Sequence, residues 1–136
     1  MNPELQDSLF EQYPDQFKNL KWIECQDGWY DILSRLCYII NNRLDYKKRI
    51  NEPLDFFYWS QIKEKFGGLR AYSDGADDFI LGAIAMAESM SYVTCEVTGE
   101  KGKPRKQKIS EDGTISFGWI RTLCDDEAKK EGYILH

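Results

Sequence analysis

The chain reads as an α+β domain, and three observations carry that reading. Trp29, Leu33, Leu36, Ile40 and Leu44 recur at i, i+4, i+7, i+11 and i+15, the spacing of one helix face. Gly67 and Gly68 lie between two β-prone runs, a hairpin signal because a tight turn wants positive φ angles that glycine adopts without strain. After a second, more apolar helix, the chain from Tyr92 onward alternates strand formers with turn residues. The expected order is N-terminal helices, a central Gly-Gly β-hairpin, an apolar helix, and a C-terminal β segment shaped like a degenerate zinc ribbon. All of it fits one domain, 1–136, with a helical and hairpin core over 1–92 and a ribbon-like tail over 93–136.

Each element has its own warrant. Asn2-Pro3-Glu4-Leu5 opens like a capped helix, and Leu5, Leu9, Phe10 and Tyr13 keep helical spacing until Pro14 interrupts it. Asp27-Gly28 marks a turn before the long amphipathic helix, which buries Cys37 on its apolar face. Tyr46-Lys47-Lys48-Arg49 supplies the positive charge that a helix C-terminus favours. The hairpin runs through Ile62-Lys63-Glu64-Lys65-Phe66, turns at Gly67-Gly68 and returns through Leu69-Arg70-Ala71-Tyr72. In the next helix Phe79, Ala83, Met86 and Met90 share one face and Ile80, Ile84 and Ala87 the next, so it reads as central, with both methionines in the core. Ile115 to Ile120 reads as a strand, and Cys124 onward as a short helix.

With 42% hydrophobic and 14% aromatic residues, the 136-residue chain has enough apolar surface for a core. Its 23 acidic and 18 basic residues leave a net charge of -5, against nonspecific nucleic-acid binding by the whole molecule. Four cysteines, Cys25, Cys37, Cys95 and Cys124, are too sparse for a disulfide-stapled module, and free thiols in a reducing cytosol are the simpler account. The acidic N-terminus lacks the basic, apolar layout of a signal segment, and no long apolar run spans a membrane. The expectation is a cytoplasmic protein with no membrane partner.

The tail looks like a zinc site with half its ligands missing. Cys95-Glu96-Val97-Thr98 and Cys124-Asp125-Asp126-Glu127 have the spacing of two metal knuckles, but the second ligand slots hold Thr98 and Glu127. A neutral hydroxyl is a poor Zn(II) ligand and a carboxylate an uncommon one in structural sites, so no metal and no other cofactor is expected. The only histidine, His136, is the last residue, which removes the commonest general base and argues against an enzyme. Asp74, Asp77 and Asp78 lack the pattern of a calcium loop and suit helix capping.

Three stretches then act together: Glu24-Cys25-Gln26-Asp27-Gly28-Trp29-Tyr30-Asp31, Lys63-Glu64-Lys65-Phe66-Gly67-Gly68-Leu69-Arg70, and Met86-Ala87-Glu88-Ser89-Met90 leading into Thr94-Cys95-Glu96-Val97. With Arg121-Thr122-Leu123-Cys124-Asp125 closing the tail, they resemble, in order and over nearly the whole chain, a family of small proteins encoded by tailed phages and prophages. Members of that family often end in a two-knuckle zinc ribbon with a cysteine at the position of Thr98 and a histidine at that of Glu127. This chain departs at both, and its Phe17 to Ile23 segment is shorter than in relatives with extra cysteines there. The resemblance implies a viral origin and a shape, without the metal.

Three candidate surfaces remain. Lys63, Lys65 and Arg70 flank the Gly67-Gly68 turn, and cations beside bare amides are what phosphates need, although a solvated hairpin face paired with Glu64 is the plain alternative. Lys101, Lys103, Arg105, Lys106 and Lys108 place five charges in an eight-residue loop that could meet nucleic acid or an acidic partner, or simply be solvated. Phe56, Phe57, Tyr58 and Trp59 read as exposed interface anchors. The preferred function is a non-enzymatic phage protein that binds and modulates a host protein, for example a bacterial defence component. The alternatives are a nucleotide-sequestering module built on the hairpin and a nucleic-acid binder using the 101–108 loop. The oligomeric state is left open.

Overall fold

Helix α1 (Pro3–Gln12) starts as its sequence demands, with the Asn2 side chain accepting from the Glu4 amide and Pro3 in the first turn. The structure, a computed structural model, describes residues 1–108 and 115–135, with backbone alone at 108 and 115–118. After α1, strand β1 (Ile23–Glu24) leads through a single 3₁₀ turn into α2 (Tyr30–Arg49). Strands β2 (Tyr58–Lys65) and β3 (Gly68–Asp74) form the central hairpin, followed by α3 (Asp78–Ser91). The tail holds β4 (Lys103–Lys108), β5 (Ile115–Leu123) and α4 (Asp125–Glu131). Among the described residues, four helices and two small sheets make the mixed α+β class that the sequence predicts.

The larger sheet has the order β1-β2-β3, with β1 parallel to β2 and β2 antiparallel to β3. Its inner face carries Ile23, Ile62, Leu69 and Ala71 into a core shared with Leu33, Leu36, Cys37 and Ile40 of α2 and Ile80, Ile84 and Ala87 of α3. Trp29 and Trp59 are wholly buried, and each indole nitrogen has a partner: the Thr94 carbonyl at 2.9 Å and the Gln16 side chain at 3.2 Å. Gln6 and Gln16 are buried too, but they serve loop and helix backbone: Gln6 joins Lys21 to Ile23, and Gln16 reaches the Cys37 carbonyl. The exposed edge of β3 is closed by α3, whose Ser91 hydroxyl and Glu88 carboxylate accept the amides of Leu69 and Ala71.

Two expectations for these elements need correction. The hairpin turns one residue early, at Phe66 and Gly67, both at positive φ (54° and 81°), as a tight two-residue turn requires. Gly68 is strand, and its missing Cβ makes room for the Tyr92 ring, which would lie 2.3 Å away. Helix α3 is also not central. It buries Ile80, Ile84, Ala87 and Ser91 but leaves Phe79, Leu81, Met86 and Met90 exposed.

The tail packs a second, smaller cluster of Cys95, Leu123, Cys124, Ala128 and Tyr133. It is joined to the body by hydrogen bonds to backbone carbonyls: the Gly28 amide donates to the Glu96 carbonyl at 2.7 Å, and the Thr122 hydroxyl donates to the Gly67 carbonyl at 2.6 Å. A Cβ on Gly28 would meet the Cys95 carbonyl at 2.2 Å, so glycine permits this close approach. Among the described residues no helix is long and apolar enough to cross a membrane.

Candidate functional site

Helices α2 and α3 run antiparallel, since Arg43 late in α2 meets Asp77 and Phe79 at the start of α3. Between them lies an open groove of about 460 Å³ with Leu36 and Ala87 at its floor and Ile32, Ile39, Ala83, Met86 and Met90 along its walls. Asp31 and Arg35, one turn apart on α2, are its only charged lining. Met86 is 64% exposed, far from the core position predicted for it. A helix apolar around most of its circumference looks central in sequence, but here α2 and β3 cover only part of it. The uncovered remainder is a continuous apolar surface with two flexible thioethers on its rim.

The hairpin offers less to phosphate than its sequence suggests. The Gly67 amide donates to the Glu64 carboxylate at 2.8 Å and its carbonyl accepts from Thr122, so the turn presents no free nest. Arg70 donates to the Leu69 carbonyl and, at 3.0 Å, to the Tyr92 hydroxyl; that bond, more than the opposing effect of burial, raises its pKa. Lys63 and Lys65 remain on the strand's outer side with no ion-pair partner among the described residues.

The basic run is a strand rather than a loop. Arg105 is 2% exposed, donating to the carbonyls of Leu123 and Ile134 and pairing with Asp125 at 2.6 Å, so it holds the tail together and is not available to a phosphate. Lys101, Lys103 and Lys106 are exposed; the Lys108 side chain and His136 lie outside the described residues. The aromatic run is likewise divided by strand alternation. Phe57 and Trp59 are core, in edge-to-face contact at 5.2 Å, while Phe56 is half exposed and stacks on Tyr58. Phe57 and Trp59 therefore cannot anchor a partner in this fold.

Cys95 and Cys124 do meet, with the Thr98 hydroxyl within reach of both sulfurs, 3.8 Å from that of Cys124. Burial acts to raise the Cys95 pKa, but bonds from the Thr98 hydroxyl and the amides of Cys124, Thr98 and Val97 outweigh it and lower the value. A four-donor metal site does not fit these residues. Glu127 is turned to Lys130 at 3.0 Å, and among the described residues no three His, Cys, Asp or Glu side chains cluster as metal ligands would. Cys25 and Cys37 are pushed up to about 12, chiefly by burial, which keeps them protonated packing groups.

Sequence reasoning missed a second exposed surface, on the outer face of the β1-β2-β3 sheet. Parallel pairing of Glu24 with Lys63, and antiparallel pairing of Lys63 with Arg70 and Gln61 with Tyr72, gather residues from three segments. The only local signal for it was the polar half of the strand alternation. Comparison of the chain with protein-family models, curated proteins and solved structures finds no match.

Proposed function

We propose that this is a non-enzymatic, phage-encoded interaction protein that binds and modulates a host protein by holding an amphipathic helix of that partner in the α2/α3 groove. A bacterial defence component is one example of such a target. The observation that carries the reading is the groove itself: lined chiefly by apolar side chains, bounded by two antiparallel helices, and rimmed by Met86 and Met90. An amphipathic helix binds such a groove through apolar anchors at i, i+3 or i+4, and i+7, and methionine adapts to anchors of different shape. The Asp31/Arg35 pair at one end supplies both charge signs to fix the direction of the bound helix.

The test is affinity capture from bacterial cells with the tagged protein, Met86→Asp, Ile39→Asp, and Leu81→Asp as an exposed control outside the groove. Binding of one identified protein should survive Leu81→Asp and fall at least about tenfold with either groove variant, since a buried unpaired charge costs more than about 1.4 kcal/mol. Equal capture by all four proteins would overturn the reading. So would sedimentation showing that the groove is filled by a second copy of the chain.

A further inference from the structure

We propose that the outer face of the β1-β2-β3 sheet binds single-stranded nucleic acid, independently of the groove. Register builds this face. One row crosses the sheet as Glu24, Lys63 and Arg70, and the next as Gln61 and Tyr72, and Trp22 immediately precedes β1 in the chain. The opposite parity, Ile23, Ile62 and Ala71, is buried, so these rows face outward. Trp22 is 69% and Tyr72 46% exposed, on the segments to either side of β2. Phe66, 68% exposed at the turn with Lys65 over its ring, adds a third aromatic surface.

The chemistry of these side chains is that of a stacking platform. Single-stranded nucleic acids bind where aromatic rings take successive bases and cations follow the backbone. Lys63, Lys65 and Arg70 share the outward parity of Tyr72, between that residue and the turn that carries Phe66. Arg70 is held by the Tyr92 hydroxyl and the Leu69 carbonyl, which use two of its five N–H donors and leave the others for a phosphate. A duplex offers its bases only at their edges, so rings spread over a sheet favour an unpaired strand. Two carboxylates on this face oppose the ligand: Glu24, which accepts from Gln61 at 3.0 Å, and Asp74, which shares the outward parity of Arg70 and Tyr72 at the end of β3.

The test is fluorescence anisotropy with a labelled oligothymidine, the matching oligouridine and a duplex of equal length, at low and raised salt. Both single strands should bind more tightly than the duplex, with affinity falling as salt rises. Whichever single strand binds more tightly assigns DNA or RNA. Trp22→Ala and Tyr72→Ala should each weaken binding about tenfold, the effect of losing one stacked base. Lys63→Ala should flatten the salt dependence, and Glu24→Gln should tighten binding a few-fold by removing a like charge. Trp22 and Glu24 are exposed, so unchanged melting temperatures will separate lost contact from lost fold. No binding at low salt would overturn the proposal. So would preference for the duplex, or binding that ignores Trp22→Ala and Tyr72→Ala but disappears when Lys101, Lys103 and Lys106 become alanine. Met86→Asp should leave this binding unchanged, so the two surfaces fail separately.

Discussion

The body and the tail of this chain are held by different forces. In the body, Trp29, Trp59, Leu9, Leu33, Ile40, Ile62 and Leu69 are sealed from water, and the buried polar side chains around them are chiefly neutral glutamines bonded to backbone. In the tail, a few apolar groups around Cys95 and Leu123 are supplemented by buried charge: Glu96 against Arg121 at 2.9 Å, and Arg105 between two carbonyls and Asp125. Arg121 also bonds to Glu131 of α4. The lesson is that a region too small for an apolar core can still be ordered by satisfied charge, and that it then becomes sensitive to the loss of one partner.

The largest expected effect is in the body. Trp59→Ala should cost about 3–5 kcal/mol, because it leaves a large cavity beside Phe57 and takes the indole donor from the Gln16 side-chain oxygen; urea unfolding measures it. Arg121→Ala should cost about 3 kcal/mol, because it strands Glu96, 4% exposed, without its cation. Adding Glu96→Gln should recover much of that loss, and no recovery would show that Arg121 matters through packing alone. Gly28→Ala should cost about 1–3 kcal/mol by forcing the Cys95 carbonyl away. Amide exchange should then rise in the tail while α2 stays protected.

Acid separates the two regions by sign. Burial tends to raise the Asp77 pKa, but the Ile80 amide and Arg43 outweigh it, so the folded value lies below the ordinary carboxylate range. Its contribution is present above that range and is lost as pH falls through the lowered value. Glu96 is opposite: burial raises its pKa despite Arg121. The folded state then binds its proton more tightly than the unfolded chain, and stability declines as pH rises from the ordinary carboxylate value to the raised one. Asp77→Asn should abolish the acid-side loss, and Glu96→Gln should abolish the decline at higher pH. The smallest stability effect belongs to Met86→Asp, within about 0.5 kcal/mol because the side chain is exposed.

Local patterns carried much of this architecture. The periodicity of Trp29 to Leu44, the Asn2 cap and the basic end of α2 are properties of neighbouring residues, and the elements formed where they point. The turn shifted by one residue because Phe66 accepts a positive φ while Gly68 is needed beneath Tyr92, a contact between residues far apart in the chain. Arg105 read as a free cation because its three acceptors come from β5, α4 and the segment after α4. Met86 and Met90 read as core because composition shows that a face is apolar without showing whether anything covers it. The Trp22–Tyr72 surface depends on a parallel pairing between β1 and β2 that neither strand announces.

The most direct measurement is photo-crosslinking from position 86. A benzophenone side chain placed there, with a second protein carrying it at position 81, is irradiated in bacterial cells and the adducts are sequenced. The groove reading requires one partner peptide, joined at 86 and not at 81, with apolar residues recurring at i, i+3 or i+4, and i+7. Adducts only between two copies of this chain, or the same scattered proteins from both positions, would contradict it.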